Sequence, residues 1–138
     1  MPAIVNDTIC AIATPVGRSG IGIVRLSGPD IGKACEEILG FLPSPRHAHY
    51  CDFLDADQTV IDQGVAIFYQ SPDSFTGEDI LELQGHGGVY VLAAVLERVL
   101  SLDIRLASPG EFSERAFCLL YTSPSPRDLS TSRMTSSA

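Results

Sequence analysis

Apolar positions along this 138-residue chain repeat every second residue in some stretches and every third or fourth in others, and the change of period marks out its elements. Asp7 to Thr14 is short, rich in β-branched residues and closed by Pro15, which predicts a first strand. Val16 to Gly20 follows as a turn. Ile21 to Ser27 alternates, with Ile21, Ile23 and Arg25 on one face and Gly22, Val24 and Leu26 on the other, so a second strand is expected there. From Pro29 and Asp30 the period lengthens. Ile31, Cys35 and Ile38 fall on one helical stripe that ends at Leu39, and Gly40 supplies the stop.

Pro43 and Pro45 then break the chain, and Arg46 to Leu54 and Val60 to Gln70 read as the arms of a hairpin turning through Asp55 to Gln58. Nearly every residue from Gly64 to Tyr69 is apolar, so that arm is expected to be buried on both faces. A turn over Ser71 to Thr76 leads to a strand at Asp79 to Gln84 and a helix at Gly88 to Leu102. In that helix Val89, Leu92, Val95, Leu96 and Val99 form the inner stripe, and Glu97 and Arg98 are expected to face outward. Ile104 to Ala107 reads as one more short strand. Pro109 and Gly110 introduce a last helix whose Glu111, Glu114 and Arg115 stand at ion-pairing spacing. This order predicts an α/β fold, α+β-like in having a mixed sheet with helices packed on it.

The period disappears at Cys118. Residues 118–138 are dense in serine and threonine and carry two prolines, a composition that cannot bury enough apolar surface to pack. From Leu119 they resemble translated sequencing-adapter read-through. The expected organisation is therefore one domain over residues 1–117 and a disordered, non-native tail over 118–138.

Charge changes the picture chiefly by exclusion. The chain has 9 basic and 17 acidic residues, and Lys33 is its single lysine, so no basic stripe is available to neutralise a phosphate backbone and no direct nucleic-acid site is expected. The cysteines at 10, 35, 51 and 118 form no C-x-x-C pair, and no signal-peptide pattern opens the chain. Free thiols in a reducing cytoplasm are the expectation. The longest apolar run, Val89 to Leu96, falls far short of the about 20 residues a membrane helix needs.

Candidate chemistry is sparse. The glycines at 17, 20 and 22 precede a β-branched strand where a dinucleotide fingerprint requires a helix, and Gly32-Lys33 lacks the rest of a phosphate loop, so no GTP site is encoded in this segment. His47, His49 and Cys51 alternate, which on a strand puts all three on one face at a spacing some zinc sites use; the signal is weak, because such sets occur by chance, no fourth ligand is evident and a half-exposed strand face explains them. His86 lies between Gly85 and Gly87 at an expected helix start. There it either faces an anion or a carbonyl oxygen or simply caps the helix. Arg25 and Glu82 are the candidates with most to explain, each projecting from a strand among apolar neighbours. Either they pair with each other, or they grip a ligand: a carboxylate accepts two parallel hydrogen bonds from an amino-amidine edge, and an arginine holds an acyl oxygen or a carboxylate.

Three separated stretches, GRSGIGIVRLSGP at Gly17 to Pro29, SFTGEDILELQGHGG at Ser74 to Gly88 and SPGEFSERAF at Ser108 to Phe117, resemble in this order the N-terminal domain of the bacterial tRNA modification GTPases of the MnmE, or TrmE, family. The resemblance covers the first 117 residues. It implies a fold like the tetrahydrofolate-binding domain of glycine-cleavage T-protein and a site for 5-formyl- or 5,10-methylene-tetrahydrofolate in which the family's folate contacts fall on Arg25 and Glu82. It further implies a homodimer formed through this domain, with the folate site near the interface. In the full-length family GTP, magnesium and potassium act through domains not encoded here, and an FAD-dependent partner of the MnmG, or GidA, type joins in placing an aminomethyl or carboxymethylaminomethyl group on carbon 5 of the tRNA wobble uridine. Two departures from the pattern are Ser19, where glycine is usual, and Ser108, where arginine is usual. A folate-contacting lysine that the family carries just after this point has no counterpart here.

Overall fold

The computed structural model describes residues 7–14 and 20–122, so all but Gly20 of the turn expected over Val16 to Gly20, and the tail from residue 123, lie outside the described residues. The strands are β1 (Ile9–Ile12), β2 (Ile21–Ser27), β3 (His49–Leu54), β4 (Val60–Tyr69), β5 (Ile80–His86) and β6 (Arg105–Leu106). The helices are α1 (Ile31–Leu39), α2 (Val89–Leu100) and α3 (Glu111–Thr122), the last running on past Phe117. The strands form one six-stranded sheet in the order β3-β4-β5-β2-β1-β6. Every pairing is antiparallel except β1 with β6. The expected mixed sheet with helices packed on it is the architecture found.

One face of the sheet carries the core. Alternation turns Val24 and Leu26 of β2, Leu81 and Leu83 of β5, and Ala66 and Phe68 of β4 to the same side, where they meet Ile31, Cys35 and Ile38 of α1 and Leu92, Val95 and Val99 of α2. Gly40 ends α1 as expected, in the left-handed conformation at φ 85°, with its N–H on the Glu36 carbonyl. The core helices α1 and α2 cover this one face only, and β4 shows the consequence. Its residues alternate from Gly64 to Tyr69 between buried and half-buried, which corrects the expectation of burial on both faces.

The helix α2 holds a second correction. Arg98 is 6% exposed and does not face outward. Its Nε donates to the Leu54 carbonyl at 2.9 Å and its Nη2 to the Glu37 carbonyl at 3.0 Å, so one guanidinium ties α2 to the ends of β3 and α1. Val89, placed by its spacing on the inner stripe, is exposed in the first turn of α2.

Away from α1 and α2, the sheet's other face is partly covered at its Ser27 end. Ser27 Oγ bonds Thr76 Oγ1 at 2.7 Å and donates to Glu78 Oε1 at 2.8 Å, bringing the segment between β4 and β5 over the sheet. Arg115 of α3 reaches the same Glu78 at 3.0 Å and Asp7 at 2.8 Å, while Arg105 spans Asp7 and Glu111 at 2.7 Å each. The hydrogen bonds from Arg105 hold the carboxyls of Asp7 and Glu111 each at about 2. A carboxylate with a depressed folded pKa stabilises the fold above its unfolded value of about 4 and loses that contribution as pH falls through the folded one. We therefore expect α3 to loosen from the sheet between about pH 4 and about 2, ahead of the core. Limited proteolysis within α3 followed against pH, beside far-ultraviolet circular dichroism of the whole chain, checks this; simultaneous loss of both signals would contradict it.

Candidate functional site

The register of the strands maps the less covered face into rows. One row runs Ile67, Glu82, Arg25, Ala11 from β4 through β5 and β2 to β1. On its Ser27 side stands the row Tyr69, Ile80, Ser27, Ile9; on the other side Val65, Gln84 and Ile23 continue outward to Tyr50 of β3. Successive rows are about 7 Å apart and neighbours within a row about 5 Å. The apolar strip Val65, Ile67 and Tyr69 thus lies beside a polar strip of Glu82 and Gln84, with Arg25 beyond it.

Arg25 and Glu82 are cross-strand partners on this face. Arg25 Nε donates to Glu82 Oε2 at 2.9 Å, and Nη2 lies 2.8 Å from the same oxygen. Gln84 Nε2 donates to the other oxygen, Oε1, at 3.3 Å. Both charged side chains are largely sheltered, at 24% and 13% exposed, which removes much of the screening that makes surface pairs weak. The structure joins directly the two residues that the sequence singled out. Tyr69 completes the setting. Burial pushes its phenol up, Glu82 pushes it further and Arg25 opposes, so the hydroxyl lies in the field of both charges. Sequence reading passed over Tyr69 as one apolar residue of a run.

The structure assigns His86 differently from the sequence. It is the last residue of β5, paired with Ile21, and the helix begins only after Gly88, whose residue offers no side-chain cap. His86 caps nothing. Its backbone N–H donates to Asp62 Oδ2 at 2.9 Å and its ring Nδ1 lies 2.7 Å from Asp62 Oδ1, so a nearly buried carboxylate closes the end of the strand and leaves the ring exposed. A β-carbon at Gly85 would collide with Asp62 Oδ2, so the glycine makes room for that carboxylate where it now lies. Gly87 donates its N–H to the Gly20 carbonyl at 3.2 Å. Gly85, His86 and Gly87 therefore terminate the sheet, and Asp62, which sequence reading missed, is the residue that explains them.

The alternating histidines and cysteine do not converge. His49 accepts a bond from the Ser44 N–H and packs edge-on against Phe41 at 5.4 Å, while Cys51 Sγ faces the His49 carbonyl. Among the described residues no group of three or more His, Cys, Asp or Glu side chains could hold a metal ion. Cys10, Cys35 and Cys51 are free, and burial raises the two inner thiols, Cys10 to about 11 and Cys35 to about 12. No helix among the described residues is long and apolar enough to cross a membrane.

Comparison with known proteins bears on this arrangement. Residues 8–119 match the family described as GTP-binding protein TrmE N-terminus. The chain belongs to that family. The TrmE N-terminal match takes in all six strands and both core helices. Similar proteins include the tRNA modification GTPase MnmE of Chromohalobacter salexigens, 61% identical over 112 residues, which are 81% of this chain and 24% of the relative. That of Pseudomonas entomophila is 60% identical over 113 residues, 82% of this chain and 25% of the relative. That of Hydrogenovibrio crunogenus is 58% identical over 112 residues, 81% and 25%. The chain thus spans about a quarter of the length of these TrmE-family relatives.

Proposed function

We propose that this TrmE-type N-terminal domain binds a one-carbon tetrahydrofolate, 5-formyl or 5,10-methylene, on the less covered sheet face through Arg25 and Glu82. The observation that carries the reading is the half-buried Arg25–Glu82 pair flanked by Ile67 and Tyr69. The residues present fit such a ligand. Arg25 uses Nε and Nη2 on Glu82, and among the described residues its Nη1 has no hydrogen bond, which leaves donors for an acyl or carboxylate oxygen. Among the described residues Glu82 Oε1 holds only the long bond from Gln84, which leaves acceptor capacity for an amino-amidine edge. When bound, the folate would supply a one-carbon unit; the chain's own residues orient it.

In the same reading the domain is a homodimerisation module of a cytoplasmic GTPase that modifies carbon 5 of the tRNA wobble uridine with an FAD-dependent partner of the MnmG type. GTP, magnesium and potassium then belong to segments outside this chain. Exposed Ile21 and half-buried Val65 and Ile67 support an apolar contact on this face. A second reading, a structural dimerisation domain without ligand, is favoured by one observation: Arg25 and Glu82 already satisfy each other.

Calorimetric titration with 5-formyltetrahydrofolate separates the two. We expect saturable binding, and a loss of about 1 to 3 kcal/mol in each of Arg25→Ala and Glu82→Ala, the scale of a hydrogen bond to a charged group. A dimer that ignores folate in sedimentation would establish the second reading. Binding unchanged in both variants would remove the site assignment.

A further inference from the structure

The side of the Arg25–Glu82 pair that faces the Ser27 row is walled by an aromatic ring. Tyr69 stands opposite Ile80 and diagonal to Glu82 on the neighbouring strand, a separation that aromatic side chains bridge. It is half-buried, unlike Tyr50 in the row beyond, which is 73% exposed. Its hydroxyl has no hydrogen bond among the described residues. A phenol held in this way among Ile67, Ile80 and a sheltered ion pair, with its donor unused among the described residues, is placed to contact whatever the pair holds.

We propose that Tyr69 is a ligand-contacting residue: its ring is the wall against which a flat nitrogen heterocycle lies, and its hydroxyl donates a hydrogen bond to a polar atom of that ligand. The inference rests on the folate reading of the same pair and adds a specificity element to it. A carboxylate and a guanidinium alone select by hydrogen-bonding edge. An apolar wall at their side adds selection by shape, because a heterocycle gains both contact area and an aromatic offset-stacked or edge-on arrangement that an aliphatic guanidine or amidine cannot. Apolar Ile67, in the row of the pair itself, extends the same surface.

Three variants of the full chain test this with 5-formyltetrahydrofolate as the probe. Tyr69→Phe keeps the ring and is expected to weaken binding about 3-fold to 10-fold, the scale of one neutral hydrogen bond. Tyr69→Leu removes the ring as well and is expected to weaken it about tenfold beyond Tyr69→Phe. Tyr50→Phe, on the same face but far more exposed, is expected to change nothing. A spectroscopic readout separates contact from a structural role. The chain has no tryptophan and four tyrosines, so its ultraviolet emission and alkaline titration are those of tyrosine. Ligand should withdraw one tyrosine from the alkaline titration of the wild type and none from that of Tyr69→Phe. Saturable binding by the wild type with undiminished affinity in Tyr69→Leu would overturn this inference and leave the folate reading standing; absence of saturable binding by the wild type would overturn both.

Discussion

Replacing Gly64 by alanine is expected to destabilise the domain by about 3 kcal/mol or more, enough to unfold a marginal domain of this size. A β-carbon built there would sit well inside van der Waals contact with the Gln84 carbonyl oxygen and 3.0 Å from both the Gln84 carbonyl carbon and Gly85 Cα. All three obstacles are backbone of the adjacent strand, so no side chain can rotate away. Relief would require β4 and β5 to separate where they stop pairing after Val65 and Gln84, and with them the approach that lets Asp62 reach His86. Gly32 provides the control. A β-carbon there meets nothing within 4 Å on α1, so Gly32→Ala should stabilise by about 0.5 to 1 kcal/mol through the unfolded chain and the helix alike. Urea unfolding of both variants reads the pair of effects, and a Gly64→Ala midpoint equal to wild type would refute the close crossing.

The second large effect is expected at Arg98. Arg98→Ala should cost about 2 to 4 kcal/mol, because truncation strips the Leu54 and Glu37 carbonyls of their donor in a setting that admits little water and also removes the packed stem. Arg98→Lys should recover only part, since an ammonium on a flexible stem cannot span two carbonyls from different elements as a planar fork does. Equal stability of Arg98→Ala and wild type in thermal or urea unfolding would show that the guanidinium is dispensable. The residue serves as a spacer among α1, α2 and β3, and its loss should weaken all three contacts together.

What the sequence disclosed and what it concealed divide along physical lines. The span of β2 was legible because alternation is local: Gly22, Val24 and Leu26 needed only each other to mark the inner face. The stop at Gly40 was legible for the same reason. The end of β5 was not. Gly85, His86 and Gly87 carry a turn composition, but Gly22 and Ile21 pair with Gly85 and His86 and extend the strand through glycine, a decision made by a partner sixty-odd positions away in the chain. Arg98 failed similarly, because a charged helix residue reads as outward until the carbonyls that receive it are known. Arg25 and Glu82 were legible as oddities, each a charge among apolar neighbours, but their direct union required the register. Tyr69 was hidden by being apolar enough to pass as core.

The clamp formed by Asp7, Arg105, Glu111 and Arg115 has a mechanical consequence. It fastens Asp7, two residues before β1, to the helix that follows β6, so the two flanks of the sheet region are stapled at one corner. A torque applied along α3 would be delivered into the β1 and β6 margin of the sheet, and through Glu78 into Ser27, two residues along β2 from Arg25. The Arg25–Glu82 pair would then feel, as a small tilt of its floor, a twist that began at the far end of that helix.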